Sequence, residues 1–188
     1  MKKLIAIAIL AVASVIGVNA QSTQSQNQFV AAYNFATSDI SVERANHTRF
    51  NSDTDSHGFT LGYTRFTKGD VANGKVGVLG LTGEVTANFD KDEANQVTVM
   101  AGPTLQARNN SYVQPYARVL AGVARQHINR ANIADNADAS FAIDGGAGLD
   151  FAFAKGSRYG FRTGFDVVNY SFNGERTNAY KLTAGFRF

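Results

Sequence analysis

The chain has 188 residues with no cysteine, no tryptophan, two prolines, 18 glycines, 14 phenylalanines and 7 tyrosines. A chain without Cys has no disulfide framework and no thiolate chemistry, and this length suits one domain. The formal charge of +3 includes Lys2 and Lys3 of an N-terminal leader; without them 16 basic residues face 15 acidic ones, so the charge gives no ground for a nucleic-acid partner.

The leader comes first in chain order. Lys2 and Lys3 precede an apolar run from Leu4 to Val18, and Val18-Asn19-Ala20 offers small residues at a cleavage position. This pattern predicts a secretory signal peptide over residues 1–20, removed after Ala20. An uncleaved anchor is the alternative, but an apolar core of about 15 residues is short for a span of about 20. No Cys follows the cleavage position, which excludes lipoprotein processing. Residues 21–27 read as a short tail, and residues 28–188 as a single barrel domain. No later segment has the length of a membrane helix, so integration into a membrane has to use strands.

Eight strands with period-2 alternation are predicted: 28–36, 58–66, 76–87, 97–107, 112–124, 141–153, 159–170 and 180–188. The sixth is the clearest. Phe141, Ile143, Ala147, Leu149, Phe151 and Phe153 share one face, while Asp144, Gly146, Gly148 and Asp150 share the other. At about 9–13 residues these strands suit a tilted membrane crossing and exceed the usual globular strand. Pro103 and Pro115 fall inside strands, where each removes a ladder donor, and predict irregular pairing or bulges there. The polar segments 37–57, 88–96, 125–140 and 171–179 read as long loops, and 67–75, 108–111 and 154–158 as tight turns on the opposite side.

The last strand alternates Tyr180, Leu182, Ala184, Phe186 and Phe188 against Lys181, Thr183, Gly185 and Arg187. Chain ends usually fray in water, so an apolar face carried to the final residue points to lipid. Three earlier stretches, Pro115–Ala124 (PYARVLAGVA), Phe141–Asp150 (FAIDGGAGLD) and Phe161–Tyr170 (FRTGFDVVNY), together with this ending, resemble consecutive strands of OmpA/OmpX-type β-barrel proteins. The resemblance implies an eight-stranded, up-and-down, antiparallel transmembrane β-barrel in the outer membrane of a Gram-negative bacterium. It also implies that Tyr180, Leu182, Phe186 and Phe188 form a C-terminal signal for the barrel-assembly machinery. Outer-membrane lipid and lipopolysaccharide are then the surroundings. The departure is that the reading leaves no room for a peptidoglycan-binding domain after the barrel. A soluble barrel of the lipocalin kind is the competing architecture, and it would invert the two faces.

The inward face of the predicted strands carries Glu84, Asp144, Asp150 and Asp166 against Arg118, Arg162, Lys181 and Arg187. Eight strands enclose a lumen only wide enough for side chains, so these charges must be paired. Arg118 with Asp144 and Asp166 with Lys181 are the expected cross-strand pairs, and Arg162 and Asp166, four apart, are expected to share a neighbour. A filled lumen is one reading; a gated ion path in which pairs swap partners is another. Tyr33, Phe35, Phe89, Tyr112, Phe153, Tyr159, Tyr170 and Phe172 are expected to form the interfacial girdles.

His47, His57 and His127 fall in or beside the predicted loops. His57 has Ser56 and Asp55 beside it, but no spacing sets a nucleophile against an oriented base, and His47, Asp53, Asp55 and His57 match no metal-ligand pattern. No catalytic, cofactor or metal site is therefore expected. The expected role is structural or adhesive, acting through external loops where an extracellular ligand could bind, residues 38–56 above all. A narrow porin-like transport barrel is the second reading and a lipid-modifying enzyme the third.

Overall fold

A computed structural model describes residues 26–43, 49–71, 77–90, 94–107, 112–128, 136–172 and 175–188. The predicted leader (1–20) and most of the predicted tail lie outside the described residues. Eight strands follow in order: β1 (Asn27–Glu43), β2 (Arg49–Val71), β3 (Gly77–Asp90), β4 (Ala94–Gln106), β5 (Val113–Ile128), β6 (Asn136–Ala152), β7 (Gly160–Phe172) and β8 (Glu175–Arg187). Each pairs antiparallel with the next, and β8 returns to β1 to close the barrel. The seam runs from Val30↔Arg187 to Asp39↔Asn178, and Phe29 and Phe188 exchange backbone hydrogen bonds of 2.7 and 2.9 Å at its lower end.

The alternation in sequence becomes a difference between the two sides of the wall. Phe29, Tyr33, Leu61, Leu81, Val119, Phe141, Phe165 and Leu182 stand exposed on the outside, while Asn34, Thr60, Gln106, Asp144, Asp150, Asp166 and Lys181 are buried inside. In water such a belt would cost about 1.5–3 kcal/mol for each large apolar side chain left exposed. This polarity, apolar outside and polar inside, is that of a barrel standing in lipid and the reverse of the lipocalin arrangement.

Three expectations need correction. First, segments 37–57, 88–96, 125–140 and 171–179 are largely strand: β1 and β2 stay paired as far as Glu43↔Arg49, and β5 and β6 as far as Ile128↔Asn136. Above the membrane both faces of a hairpin meet water, so the alternation fades although the backbone ladder continues. Second, neither proline makes a bulge. Pairing of β4 with β5 lapses at Gly102 and Pro103, where an N–H is missing, and resumes at Thr104↔Arg118 in the same register. The one register shift among the described strand pairs lies elsewhere, between Phe66 and Asp70 of β2 where it pairs with β3. Third, Tyr170 is not a girdle residue: it is buried on the lumenal face with Arg162, Asp166 and Val168. Tyr33, Phe89, Tyr112 and Phe153 are exposed, Phe35 and Tyr159 half-buried, and the Phe172 side chain lies outside the description.

Two glycines open the space that an inward ring needs. A Cβ at Gly148 would meet the Tyr116 hydroxyl at 2.7 Å, and one at Gly164 would strike the same hydroxyl. The ring of Tyr116 therefore lies across the lumen where β6 and β7 carry no side chain. The turn from β6 to β7 needs another glycine, Gly156, which has φ 73°, a left-handed conformation that side chains rarely adopt.

The belt makes a graded prediction. On β5 the outward apolar run extends from Val113 to Val123, bounded by Tyr112 below and Arg125 above, all exposed. Val119→Arg, near its middle, should cost about 2–4 kcal/mol, and Val113→Arg, at its lower edge, about 0–1 kcal/mol. Urea unfolding in lipid vesicles measures both, and equal costs would contradict the belt as drawn.

Candidate functional site

The predicted charges come together inside the barrel in two groups. In the upper group Arg118, projecting from the middle of β5, crosses the lumen. Its Nη1 donates to Glu84 of β3, its Nη2 lies 3.4 Å from Glu84 Oε1, and its Nε and Nη2 donate to Asp166 of β7 at 3.0 and 2.9 Å. Lys181 Nζ of β8 donates to Glu84 Oε1 at 3.0 Å and to Asp144 Oδ2 at 3.1 Å, with Asp166 Oδ2 at 3.6 Å. Asp144 Oδ2 is 3.9 Å from Arg118, a long pair, while its Oδ1 has no hydrogen-bond partner. Thr86 and Thr183 add hydroxyl donors to Glu84 and Asp166 at 3.2 and 3.5 Å.

The lower group centres on Asp150 of β6. Arg162 of β7 grips it with Nε at 2.6 Å and Nη2 at 2.7 Å, a bidentate pair, and Gln28 and Gln106 donate to the same carboxylate. Arg187 Nη1 lies 3.5 Å from Asp150 and donates to Gln114 at 2.7 Å, while its Nη2 reaches the Ser157 carbonyl in the β6–β7 turn at 3.2 Å. The ring of Tyr116 lies between the groups, with the Arg162 guanidinium 4.2 Å from its centroid. Arg162 and Asp166, expected to share a neighbour, instead belong to different groups: Arg162 takes Asp150, and Asp166 takes Arg118.

Three lumenal features carry no charge pattern and escaped the sequence reading. One wall is threonine: Thr60 meets Thr86 at 2.9 Å, Thr64 meets Thr82 at 2.8 Å and Thr82 meets Thr104 at 2.6 Å, across β2, β3 and β4. Inward threonines at even positions of neighbouring strands were the available signal. Above the upper charge group lies an apolar layer of Met100, Leu120, Val168 and Tyr170 with small alanines. Beside it lies a polar chain, with Asn34 donating to Asn88 at 3.0 Å and the Tyr170 hydroxyl bonded to Gln96 and Ser38. Between this chain and Lys181 is a narrow recess lined by Thr86, Thr98 and Met100, among others.

Outside the lumen, His57 accepts from or donates to the Tyr33 hydroxyl at 2.6 Å and stacks on that ring, and Asp55 takes the Thr37 hydroxyl at 2.8 Å. No serine hydroxyl stands against His57 among these contacts. His47 and the side chains of Asp53 and His127 lie outside the described residues. Among the described residues no group of His, Asp and Glu is arranged to hold a metal ion. On the terminal strand, Tyr180, Leu182 and Phe186 face outward, exposed, and Phe188 stacks 6.0 Å from Phe29 at the seam.

A family model described as the outer membrane protein beta-barrel domain matches residues 8–188. The chain belongs to this family. Its place is therefore the bacterial outer membrane. Among solved structures, Neisserial surface protein A superposes with a TM-score of 0.62 at 15% identity, covering 87% of this chain and 96% of that one. Ail, the attachment invasion locus protein of Yersinia pestis, follows at TM-score 0.50 and 19% identity, covering 87% and 100%. The outer membrane enzyme PagL has a TM-score of 0.52 at 16% identity, covering 85% and 98%. These likenesses are of fold. No curated protein sequence matches the chain.

The upper group holds three carboxylates and two cations, so removing a cation leaves buried negative charge uncompensated. Lys181→Met should cost about 3–5 kcal/mol in urea unfolding. Adding Asp144→Asn to it should restore part of that loss, because the two groups share a hydrogen bond. Strict additivity of the two changes in a double-mutant cycle would deny the coupling.

Proposed function

We propose that this outer-membrane barrel is a non-conducting protein with a structural or adhesive role, exercised by the hairpins on its external side. The observation that carries the reading is the pairing of the lumenal charges across the barrel axis. Arg118 alone links β3, β5 and β7, and an ion passing the lumen would have to break those pairs without water to replace them. A narrow transport barrel would need such an opening.

The external side supplies the surface for contact. β1 pairs with β8 only up to Asp39, and β2 with β3 only from Ser56, whereas β1 and β2 continue together to Glu43 and Arg49. This two-stranded arm continues beyond the last pairs it makes with β3 and β8. Ail, the attachment invasion locus protein, shares the fold. Contacts of the arm with lipopolysaccharide or with an extracellular ligand belong to this proposal, as does recognition of the terminal strand by the assembly machinery. A lipid-modifying activity would need a nucleophile beside a base; here His57 is engaged by Tyr33.

Two measurements test the proposal. The purified barrel in planar bilayers should show no large steady conductance, and a stable open level would overturn the sealed lumen. Joining Ser41 to Asn51, which are cross-strand partners, through an Asn-Gly turn shortens the arm and should leave heat-modifiable gel mobility intact. Attachment of expressing cells to matrix-coated surfaces should then fall to the level of cells lacking the protein; undiminished attachment would remove the arm from the adhesive role.

A further inference from the structure

The charges of this chain are sorted by segment along the sequence. The lumen holds four acids and four bases. Segments 37–57, 88–96, 125–140 and 171–179, at the external end, hold ten acids and six bases. At the opposite end, segments 67–75, 108–111 and 154–158 hold Lys68, Lys75, Arg108, Lys155 and Arg158 against the single acid Asp70. Arg65, exposed on the outer face of β2 at the same end, completes the set. Every Lys, Arg, Asp and Glu after residue 20 is accounted for. The near-neutral total conceals long connecting segments that are acidic and short ones that are strongly basic.

The described part of the basic end has a definite build. Lys155 Nζ lies 5.8 Å from the centroid of Tyr112, and the Arg158 guanidinium lies 4.9 Å from that of Tyr159, with Nη2 donating to the Tyr159 hydroxyl at 2.7 Å. Tyr112 and Phe153 are exposed at 53% and 64%, which puts these rings in the outward aromatic layer at the lower edge of the apolar belt. The turn that carries both cations is fixed in place. Ser157 N donates to the Ala154 carbonyl at 2.9 Å, Tyr159 N to the Ser157 hydroxyl at 3.0 Å, and Arg187 from the lumen holds the Ser157 carbonyl.

We infer that this periplasmic rim is a binding surface for the phosphate headgroups of anionic glycerophospholipids in the periplasmic leaflet. Lys155 and Arg158 each lie over an aromatic ring at the boundary between hydrocarbon and headgroups, the depth at which a lipid phosphate lies. A soluble anionic polymer would gain nothing from the exposed Phe153 beside them. Anionic lipid meets positive charge, apolar belt and aromatic ring together, and basic side chains at a membrane surface attract such lipids electrostatically. The turn end of this architecture faces the periplasm, so the inference is independent of what the external hairpins bind.

The test uses the full barrel in phosphatidylcholine vesicles with trace spin-labelled phosphatidylglycerol or spin-labelled phosphatidylcholine. The fraction of each label immobilised by the protein should favour phosphatidylglycerol severalfold. The triple change Arg65→Gln, Lys155→Gln, Arg158→Gln should bring the ratio close to one with heat-modifiable mobility retained, and Lys91→Gln with Arg125→Gln at the external end should leave it unchanged. The unmodified barrel gives a reading independent of substitution. Raising salt from about 10 mM to about 1 M shortens the screening length from about 30 Å to about 3 Å and should abolish the preference. A ratio of one in the unmodified barrel, a preference indifferent to salt, or one lost only in the external pair would each overturn the inference.

Discussion

Hydrocarbon offers no water to backbone N–H and C=O groups, so every strand in it needs a strand on both sides. The last and first strands must then meet, and here β8 closes on β1 through ten paired positions, with Phe29 and Phe188 bonded to each other where the seam begins. Closure with eight strands sets the width of the lumen, and that width sets the chemistry inside it. Half of all strand residues point inward into a space too narrow for bulk water. The inward face is polar because the outward face has taken the apolar residues, so its charges have no partners except one another.

Arg118 is where that requirement is met most fully. Its planar fork presents donors in several directions, and it binds Glu84 on one side and Asp166 on the other, spanning strands that are not neighbours in the wall. Lysine in this position would be a point charge without the fork. Lys181 does act as a point charge, set among three carboxylates from three strands. The upper group is one cation short and the lower group, with Arg162 and Arg187 on one Asp150, has one to spare. The Tyr116 ring between them offers its face to Arg162 and so stabilises the surplus positive charge locally. Neutrality is a property of the whole lumen and of neither group alone.

What could be read from the sequence follows from which environments differ. Where one face of a strand meets lipid and the other meets the lumen, as from Phe141 to Phe153, the period of 2 is plain and both faces were assigned correctly. Where both faces meet water, as from Thr37 to His57, the same hydrogen-bonded ladder leaves no trace in residue type, and strand was read as loop. Tyr170 failed for another reason: an aromatic residue near a strand end suggested a girdle, although its even position beside Asp166 and Val168 placed it inside. The identities of the lumenal charges were legible from parity. The neighbouring-strand pairs Arg118–Asp144 and Lys181–Asp166 were legible too, at 3.9 and 3.6 Å, but the shorter contacts of Arg118 to β3 and β7 were not, because no spacing along one strand encodes a distance across a barrel. The threonine wall was missed for lack of charge, although parity puts its threonines on the inward face.

The two ends of the barrel are built by different means, and this decides how each can vary. At the periplasmic end the β6–β7 turn is bonded to Arg187, which belongs to the lumenal network through Gln114 and Asp150. A change in that turn is therefore felt in the interior, and the placement of Lys155 and Arg158 is tied to the packing of the floor. At the external end the arm above Asp39 and Ser56 pairs only within itself among the described strands, and the Tyr170–Gln96–Ser38 chain separates it from the charge groups below. Its residues can change without disturbing a buried charge, so long as β1 and β2 keep their register. An arm of this kind is free to be selected for what it touches, while the periplasmic rim stays bound to the requirement that the lumen remain paired.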